Sequence, residues 1–483
     1  MFWIEAVSSP RGELKFGRTR NGQNKISVIT GPNGSGKTEL LATLGRWFSS
    51  PPVGGLGKDV SIKWHDNGIT YSSTVSGPGY SPSRVIAQTF SPFSRFAPPR
   101  DTPLSLTNIY AEAAEQESNY RCVGIHRRTR YISGELSKRV LERGIYQLTE
   151  APIHTRALGK VIRALGFREK IDFRYRGLRT ARELFTAFSR GELEAYLTEM
   201  SEPYKRNELS KEVRRTGVPT LTPLLQSVLS LLGEYPSDKG VFEFTFDFEA
   251  GRASEDFAVM QALVLLRRLD ALRLERCAFS PTDDAKSLDL AEASSGQQQM
   301  LCSMFGLLSE LRNNSIVLID EPELSLHPTW QMTFLDRLSS VLEQFEGCHV
   351  ILATHSPLIA QSALINGIEV LRMRPPDNVT TADPIQQSDT DTSVEETLLD
   401  VFGTPVPGSV YLANQIFEIV TEGERGGERA REDALTRLSR LRLLYVRRDE
   451  GESTGRDLEM IQKATRLLLQ SDEAPDEELS DAE

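Results

Sequence analysis

A glycine-rich loop is the first part of the sequence that could carry chemistry. Residues 31–38 read Gly-Pro-Asn-Gly-Ser-Gly-Lys-Thr and match the pattern G-x-x-x-x-G-K-[ST]. In that pattern the glycines let backbone N–H groups surround phosphate oxygens, the lysine reaches the terminal phosphates and the threonine hydroxyl ligates Mg²⁺. The sequence therefore predicts that ATP is bound by Gly31, Pro32, Asn33, Gly34, Ser35, Gly36, Lys37 and Thr38.

Two adjacent carboxylates follow an apolar run much later in the chain. Residues 316–321 read Ile-Val-Leu-Ile-Asp-Glu, the pattern of a buried strand with acidic side chains at its C-terminal end. There Asp320 would hold Mg²⁺ beside Thr38, and Glu321 would orient or deprotonate the attacking water. Such a string is a weak signal alone. Together with the glycine-rich loop it predicts a Mg²⁺-dependent ATPase.

A short polar segment lies 23 residues before Asp320 (320 − 297). It opens a helix predicted for residues 298–308 and consists of Ser294, Ser295, Gly296 and Gln297. Serine and glycine are common at helix starts, so a purely structural cap explains the composition. The free N–H groups and the dipole of a helix N-terminus also favour anion binding. Both readings stay open at this point.

Three further polar sites stand near the ends of predicted strands. Ser325 and His327 follow the acidic pair in Leu-Ser-Leu-His-Pro. His355 follows the apolar run 349–353, and Gln88 follows the strand-like run 84–87. A single histidine or glutamine is commonly a structural residue, so none of these is informative alone. Their order along the chain is the stronger signal.

In that order, the segments resemble the phosphate loop, Q-loop, signature, Walker B strand with D-loop, and switch histidine of ABC-type ATPases. Residues 320–328 and 353–357 are most similar to the soluble ABC ATPases of the overcoming-lysogenization-defect (OLD) and anti-phage-defence group. Transporter subfamilies are less similar. The resemblance covers roughly residues 1–95 and 240–365. The usual signature Leu-Ser-Gly-Gly-Gln is Ala-Ser-Ser-Gly-Gln here, so two of its five positions depart.

The resemblance implies a role for each residue. Residues 294–297 would bind the γ-phosphate of a nucleotide held by a partner protomer. Ser325 and His327 would lie in a D-loop at the interface, with His327 structural rather than catalytic. His355 would sense the γ-phosphate, and Gln88 would reach Mg²⁺ and the attacking water. With Glu321, these last two complete the expected catalytic set.

Within that group, the chain is most similar to the ATPase subunit of Septu and Septu-containing retron systems (PtuA-like), and next to the ATPase of PARIS systems. This implies a cytoplasmic homodimer of heads, or a higher even oligomer. It also implies a separately encoded effector nuclease or toxin, an HNH nuclease in Septu and a TOPRIM-type nuclease in PARIS. The alternative is a DNA-maintenance ATPase of the SMC or recombination-mediator type, which clamps DNA without a toxic effector. Transport is a weak third option.

An effector within the chain itself is not expected. Residues 419–424, Ile-Val-Thr-Glu-Gly-Glu, imitate the first acidic motif of a TOPRIM nuclease. Only 61 residues remain after Glu422 (483 − 422), and the nearest Asp-x-Asp pair, Asp389 and Asp391, lies upstream. A two-metal nuclease needs clustered carboxylates, which this segment does not supply. The six histidines form no H-N-H constellation either.

The fold class predicted is α/β, a P-loop ATPase core like those of ABC proteins and SMC heads. It would combine a mixed central sheet, a small antiparallel β layer, a helical insertion and a helical C-terminal segment. The boundaries predicted are 1–103 and 239–374 for the two parts of the core, 104–238 for the helical insertion, 375–393 for a linker, 394–470 for a partner-docking segment and 471–483 for an acidic disordered tail.

Composition restricts the partners. Hydrophobic residues make up 39% and charged residues 25% of the chain, and no apolar run reaches the ~20 residues of a membrane span. The net charge of −11 disfavours coating of DNA by charge alone, although a local patch could bind DNA or a phage component. One basic stretch is residues 121–130. In a second, residues 167–182, cations alternate with rings as in single-strand binders, although a solvated face is the simpler reading.

Overall fold

A computed structural model describes residues 2–9, 12–18, 23–50, 60–66, 68–73, 82–89, 91, 94–97, 119–124, 159–160, 162–163, 166–234, 236, 240–248, 253–283, 286–373, 380–381, 383–384, 393–404, 406, 409–446 and 452–470. The acidic tail, the helix predicted for 137–148 and the basic residues 127–130 lie outside these ranges. No helix in the described ranges has the length and apolar character that a membrane span requires.

The strands are β1 (Phe2–Ser9), β2 (Gly12–Lys15), β3 (Lys25–Thr30), β4 (Ser61–Asp66), β5 (Ile69–Ser73), β6 (Val85–Thr89), β7 (Tyr120–Gly124), β8 (Phe167–Gly177), β9 (Val241–Asp247), β10 (Leu272–Pro281), β11 (Leu288–Asp289), β12 (Ile316–Asp320), β13 (His349–Ala353), β14 (Glu369–Arg372), β15 (Thr380–Thr381) and β16 (Asp383–Pro384). The helices are α1 (Lys37–Phe48), α2 (Arg179–Ser189), α3 (Leu193–Met200), α4 (Glu208–Thr216), α5 (Val218–Leu232), α6 (Ala253–Arg268), α7 (Ser295–Glu310), α8 (Pro328–Leu342), α9 (Pro357–Ile365), α10 (Val394–Glu396), α11 (Val410–Arg425), α12 (Gly427–Val446) and α13 (Glu452–Gln470).

The central sheet has seven strands in the order β16-β14-β3-β13-β12-β6-β7. The strands from β14 to β7 are parallel, and β16 adds an antiparallel edge. Runs such as Ile-Val-Leu-Ile are apolar throughout because both faces of a parallel sheet are covered. The apolar runs 316–319 and 349–353 are separated by a helical segment, a spacing that predicts a β-α-β unit. This prediction is confirmed, since β12 and β13 pair directly across α8. The α/β fold class is likewise confirmed.

Two apolar cores lie on opposite faces of this sheet. On one face, α1 and the strand β1 pack with Ile316, Leu318 and Ile351. On the other face, α7, α8 and α9 pack with Val317 and Ile319. Successive residues of a strand point to opposite faces, so the two cores take alternate residues of β12. This alternation also decides where polar side chains at the strand ends can reach.

A five-stranded sheet, in the order β15-β2-β1-β4-β5, forms the small β layer that the sequence predicts. The strands β1, β2, β4 and β5 are antiparallel neighbours, and β4 and β5 form the predicted hairpin. Apolar residues of β1 and β4 face the α1 side of the central sheet. The β layer therefore packs against α1, the helix that follows the glycine-rich loop.

The prediction that residues 104–238 are helical is wrong for two strands. β7 pairs with β6 and extends the central sheet, and β8 is the central member of a four-stranded sheet in the order β11-β10-β8-β9. Residues 257–274 form a strongly apolar run that predicts one helix, but α6 ends at Arg268 and β10 begins at Leu272. In β8, charged residues alternate with apolar ones from Ile171 to Arg176, the period of two that is typical of a strand. Helices α2 to α5 follow β8, as the insertion prediction expects. The predicted domain boundaries themselves stay predictions.

The C-terminal segment is helical, as predicted. Helices α11, α12 and α13 share a core of their own, which includes Leu412, Leu438, Tyr445 and Leu468. A π-helical turn, Thr397–Val401, follows α10 and joins this core to the head. Its Leu399 belongs to the C-terminal core, whereas its Val401 belongs to the core of α7, α8 and α9.

Candidate nucleotide site

The glycine-rich loop connects β3 to α1 at the C-terminal edge of the central sheet. Its Gly31 has φ 146°, and a Cβ added there would lie 2.3 Å from the Met373 carbonyl oxygen. Gly34 and Gly36 also have positive φ values, 80° and 97°. These conformations are accessible to glycine at little steric cost, and they wrap the backbone around the start of α1. The loop thus has the shape that phosphate binding requires.

Lys37, the first residue of α1, folds back into this loop. Its Nζ donates hydrogen bonds to the carbonyl oxygens of Gly31 (2.8 Å) and Pro32 (3.2 Å). Burial lowers the pKa of Lys37 to about 8, against the opposing effect of Asp320, Glu321 and Glu323. A buried cation aimed into a loop of N–H groups is a suitable partner for phosphate oxygens.

Asp320 ends β12 next to the start of α1. The Thr38 hydroxyl donates a hydrogen bond of 3.1 Å to Asp320 Oδ1. Burial, and secondarily the charge of Glu321, raise the pKa of Asp320 to about 7. A hydroxyl and one carboxylate are the ligands that Mg²⁺ commonly takes from a protein beside nucleotide phosphates and water. Thr38 and Asp320 therefore fit the metal site predicted from the sequence.

Glu321 has a constrained backbone. Its φ is 50°, and its N–H donates a hydrogen bond of 3.0 Å to the Ala353 carbonyl oxygen at the end of β13. A non-glycine residue in the left-handed region is uncommon and costs free energy, so such residues concentrate at functional sites. Ser325, four residues later, also has a positive φ of 65°. The segment after β12 is thus held in an unusual conformation at two points.

The segment that follows β13 is tied to this acidic segment. The Thr354 hydroxyl donates to Glu323 Oε2 (2.9 Å), and the His355 N–H donates to Glu323 Oε1 (2.6 Å). Burial lowers the pKa of His355, and the nearby charge of Lys37 lowers it further. Both effects favour the neutral form of the His355 imidazole. The structure places His355 at the same edge as the predicted phosphate loop.

The predicted signature opens α7 as a capped helix. Ser294 is its N-cap and forms a capping box with Gln297. A Cβ added to Gly296 would lie 2.9 Å from the Ser325 carbonyl oxygen, so this glycine allows the helix start to pack against the predicted D-loop. Ser294 and Ser295 are exposed. The structural cap is confirmed, and the exposed serines keep the anion-binding role open.

His327 caps the next helix rather than entering the site. Its Nδ1 accepts the Thr329 N–H at 3.4 Å at the start of α8. One turn along, Gln331 donates to the Leu326 carbonyl oxygen (2.9 Å) and accepts the Ser356 hydroxyl (2.6 Å). The structural reading of His327 is thus supported, and Gln331 is a second bridge between the two loops.

The prediction that Gln88 reaches Mg²⁺ is not met in this structure. Gln88 pairs in register with Ile319, and Thr89 pairs with Asp320, so Gln88 and Asp320 project to opposite faces of the sheet. The Gln88 amide donates to the carbonyl oxygen (2.9 Å) and hydroxyl (2.7 Å) of Ser303 in α7. Gln88 therefore joins the sheet to the signature helix.

Sequence reasoning missed three polar residues that hold these loops together. They are Glu323, Gln331 and Gln299, the last of which donates to the Pro322 carbonyl oxygen at 2.8 Å. Glu323 could have been found, because it is a third acid within four residues of a strand end. The glutamines carry no comparable signal, since they lie in ordinary helical sequence.

Two aromatic residues that could stack on adenine are core residues instead. Trp3 is buried and stacks on His65, with ring centroids 4.2 Å apart. Phe16 is buried with its ring edge-on to His349 at 5.3 Å. Core packing is the commoner role of such large aromatic rings, and both residues have it here.

The second basic stretch is not a stacking surface. Its rings Phe167, Phe173 and Tyr175 are buried on the inner face of β8. Its outward cations form ion pairs across the sheet, Lys170 with Asp247 at 2.8 Å and Arg176 with Glu275 at 2.6 Å. Arg174 adds longer pairs with Glu243 and Glu275. The cations are solvent-exposed as the simpler reading expects, but they lie on a strand and not on the helical face predicted from the sequence. This sheet gives no support to the DNA-clamping alternative.

The imitation of a nuclease motif is part of a helix. Residues 419–424 lie within α11, and Glu422 pairs with Arg437 of α12 at 2.6 Å. A TOPRIM carboxylate would instead be expected at the end of a strand. Glu422 thus lies on a helix and not at the end of a strand.

Parts of the chain are similar to known proteins. Residues 202–360 match the profile of the family described as "AAA domain, putative AbiEii toxin, Type IV TA system". Protein ea59 of Escherichia phage lambda is 32% identical over 117 residues, 23% of this chain and 22% of that protein. "Retron Vc95 probable ATPase" of Vibrio cholerae serotype O1 biovar El Tor is 38% identical over 65 residues, 14% of this chain and 12% of that protein. The matched segments thus span less than a quarter of each relative.

Two solved structures of Smc head domains also match. The head from Pyrococcus furiosus, solved with the C-terminal domain of ScpA, aligns with 80% of this chain and 97% of its own at 11% identity and a TM-score of 0.31. The head from Pyrococcus yayanosii aligns with 82% of this chain and 99% of its own at 12% identity and a TM-score of 0.29.

Proposed function

We propose that this chain binds and hydrolyses ATP with Mg²⁺ at the C-terminal edge of its central sheet, as an ABC-type ATPase. The observation that carries the proposal is the hydrogen bond of 3.1 Å from Thr38 to Asp320, which joins the phosphate loop to the acidic strand end. Lys37 lies in the field of three carboxylates, Asp320, Glu321 and Glu323. The match to an AAA domain over residues 202–360 supports the same activity.

The residues of the chain divide the work of phosphoryl transfer. The loop N–H groups and Lys37 would hold the phosphates, and Thr38 and Asp320 would hold Mg²⁺, which neutralises charge on the phosphate oxygens when bound. Glu321 would accept a proton from the attacking water. Neutral His355 would contact the γ-phosphate through an imidazole N–H. Positioning and electrostatics dominate this chemistry, so rigid loops at this edge serve it directly.

We further propose that two chains pair head to head around ATP. Ser294 and Ser295 are exposed at the start of α7, where N–H groups and the helix dipole favour an anion from a second chain. Gly296 packs this helix start against Ser325. Movement of the predicted signature, residues 294–297, would therefore be transmitted to the predicted D-loop at Ser325.

Trapping the ATP state tests the pairing. Glu321→Gln should bind ATP but hydrolyse it slowly, so ATP-bound dimers should accumulate in size-exclusion chromatography with light scattering. Ser295→Arg in the same background should remove the dimer and leave binding of ATP by single chains intact. The matched control is Ser280→Arg, a partly exposed serine on β10. A Glu321→Gln protein that stays monomeric with saturating ATP would reject the dimer.

The proposed context is an anti-phage defence system with a separately encoded effector, an HNH nuclease in the first instance. The similarity to the retron ATPase supports this context. The C-terminal bundle supports a partner, because seven of the thirteen exposed large hydrophobic residues in the described ranges lie on it. They are Val410, Phe417, Leu443, Val446, Met460, Leu467 and Leu469.

Co-purification from the native host tests the partner. A nuclease or toxin should co-purify in a fixed ratio with the wild-type chain, and Phe417→Glu, at a side chain that is 72% exposed, should reduce its recovery at least about tenfold. Tyr204→Glu, at an exposed aromatic residue of the insertion, is the control. Recovery of DNA-repair proteins without an effector would instead favour the DNA-maintenance alternative.

A further inference from the structure

Glu323 is a partly buried carboxylate with two donors from one neighbouring loop. Its two oxygens accept separate hydrogen bonds, Oε2 from the Thr354 hydroxyl at 2.9 Å and Oε1 from the His355 N–H at 2.6 Å. Thr354 is fully buried, and its Oγ1 also accepts the Ser356 N–H at 2.9 Å. A single side chain of the acidic segment therefore fixes the backbone on either side of the Thr354–His355 peptide bond.

A carboxylate at this position is costly. Burial raises the pKa of Glu323, and the charge of Glu321 raises it as well, although hydrogen bonds from His355 and Thr354 oppose the rise. No ion pair of Glu323 occurs among the described residues. Burying such a charge destabilises a fold unless its hydrogen bonds are well formed, and an apolar side chain of similar size would be the cheaper choice. The cost points to a need for two acceptors at this point.

The same restraint recurs one residue further along. Gln331 of α8 accepts the Ser356 hydroxyl at 2.6 Å while it donates to the Leu326 carbonyl oxygen. Ser356 is also the N-cap of α9 and accepts the Ile359 N–H at 3.2 Å. Residues 354–356 are therefore attached to the segment after β12 by two side chains. His355 is therefore held by Glu323 through its own N–H and by Gln331 through the neighbouring Ser356.

We propose that Glu323 is a positioning residue that sets the place of the His355 imidazole relative to Asp320 and Lys37. This inference rests on the proposed ATPase function. Glu323 acts through the His355 backbone and does not touch the nucleotide. A change there alters turnover through the position of the imidazole and leaves the phosphate loop unchanged.

The Glu323→Gln variant tests the link at nearly constant volume. Its amide accepts one hydrogen bond, but its NH₂ group faces the second donor, so the His355 segment loses its fixed position. Because a displacement of about 1 Å can cost about 100-fold in rate, we expect kcat to fall between about 10-fold and 100-fold. The affinity for ATP should change less than threefold. The control is Glu343→Gln, which removes the same charge at an exposed position just after α8.

A double-mutant cycle with His355→Ala identifies the route of the effect. If Glu323 acts through His355, then His355→Ala should lower kcat much less in the Glu323→Gln background than in the wild type. Thr354→Val removes one donor but leaves the His355 N–H bond, and we expect a smaller loss than for Glu323→Gln. Independent, multiplicative losses from Glu323→Gln and His355→Ala would overturn the proposal.

A measurement without turnover separates this proposal from the ATPase proposal. Amide hydrogen exchange of residues 354–356 should be at least about tenfold faster in Glu323→Gln than in Glu343→Gln, with the exchange of α1 unchanged. Unchanged exchange at 354–356 would reject the role of Glu323 even if the wild-type chain hydrolyses ATP. Faster exchange at 354–356 in a chain whose wild type does not turn over ATP would retain the restraint and reject the proposed function.

Discussion

The two ends of the central sheet both carry buried polar clusters, and they differ in charge. At the N-terminal edge, Lys25 pairs with Glu369 at 3.2 Å, and the Ser27 hydroxyl donates to the same carboxylate at 2.7 Å. His349 contacts Ser27 at 3.2 Å and accepts the Ile4 N–H at 3.1 Å. At the C-terminal edge, the charges of three carboxylates, Asp320, Glu321 and Glu323, act on Lys37.

This difference indicates which of the two clusters is a ligand site. The N-terminal cluster balances its charges and satisfies its donors and acceptors internally, as a structural network does. Among the described residues, the C-terminal cluster has three carboxylates against one cation, raised pKa values at Asp320 and Glu323, and a left-handed backbone at Glu321. Carboxylates without a matching cation and strained backbone conformations are typical of functional sites. A bound divalent cation would neutralise the negative charge of these carboxylates.

Asp320→Asn should have the largest effect, because it removes one of the three carboxylates at the C-terminal edge. Loss of the metal-holding carboxylate should lower ATP turnover at least about 100-fold, because metal-ion stabilisation of the reacting phosphate is worth several kcal/mol. In the absence of ATP, the same change should raise the free energy of unfolding by about 1 kcal/mol, since it removes a buried charge among like charges. Steady-state kinetics and chemical denaturation measure the two effects. A destabilised ligand-free variant would contradict this account of the C-terminal edge.

Glu369→Gln should have the converse effect at the other edge. It leaves the 8%-exposed Lys25 without its carboxylate, which should lower the free energy of unfolding by about 3 kcal/mol. ATP turnover per folded molecule should stay within threefold of the wild type. A large loss of turnover in fully folded protein would show that the two edges are not independent.

The pH dependence of stability should report the buried histidine of the N-terminal cluster. Burial, assisted by the charge of Lys25, holds the pKa of His349 well below its usual 6.5. The unfolded chain therefore takes up a proton first, so stability is full above pH 6.5 and falls as the pH drops below it, by up to about 1.4 kcal/mol per pH unit. Phe16 packs on this ring, and Glu369 reaches it through Ser27. Denaturation of wild type and His349→Gln between pH 5 and 8 measures the slope, which the variant should lack.

Gln88→Met should have the smallest effect of the four. It removes the hydrogen bonds to Ser303 and should cost about 1 kcal/mol of stability, as typical for a buried hydrogen bond. Because Gln88 projects away from Asp320, the Mg²⁺ concentration for half-maximal turnover should change less than threefold. A tenfold rise in that concentration would restore the magnesium role predicted from the sequence.

Most of the polar residues at the C-terminal edge could be predicted from the sequence, because they belong to short motifs of consecutive residues. The glycine-rich loop needs particular residues at fixed spacing, and a buried strand that ends in Asp320 is visible as four apolar residues before an acid. Such signals lie within eight consecutive residues or fewer. They also order correctly along the chain, which made the parallel sheet predictable.

Other features depend on pairing across long separations. Gln88 lies 215 positions from Ser303, and its face of the sheet follows from the register with β12, which the sequence does not state. The strand β8 lies within the insertion that the sequence predicts to be helical, and its neighbours β9 and β10 are distant in sequence. Glu323 and Gln331 show the same limit, since their partners lie in the loop after β13.

Calorimetric titration of ATP into the purified chain, with and without Mg²⁺, tests most directly whether the C-terminal edge is the nucleotide site. The account predicts one site per chain, tighter binding with Mg²⁺ than without it, loss of binding in Lys37→Ala, and loss of the Mg²⁺ dependence in Asp320→Asn. Glu369→Gln should bind like the wild type. Absence of binding, or binding that is unchanged in both Lys37→Ala and Asp320→Asn, would contradict the account.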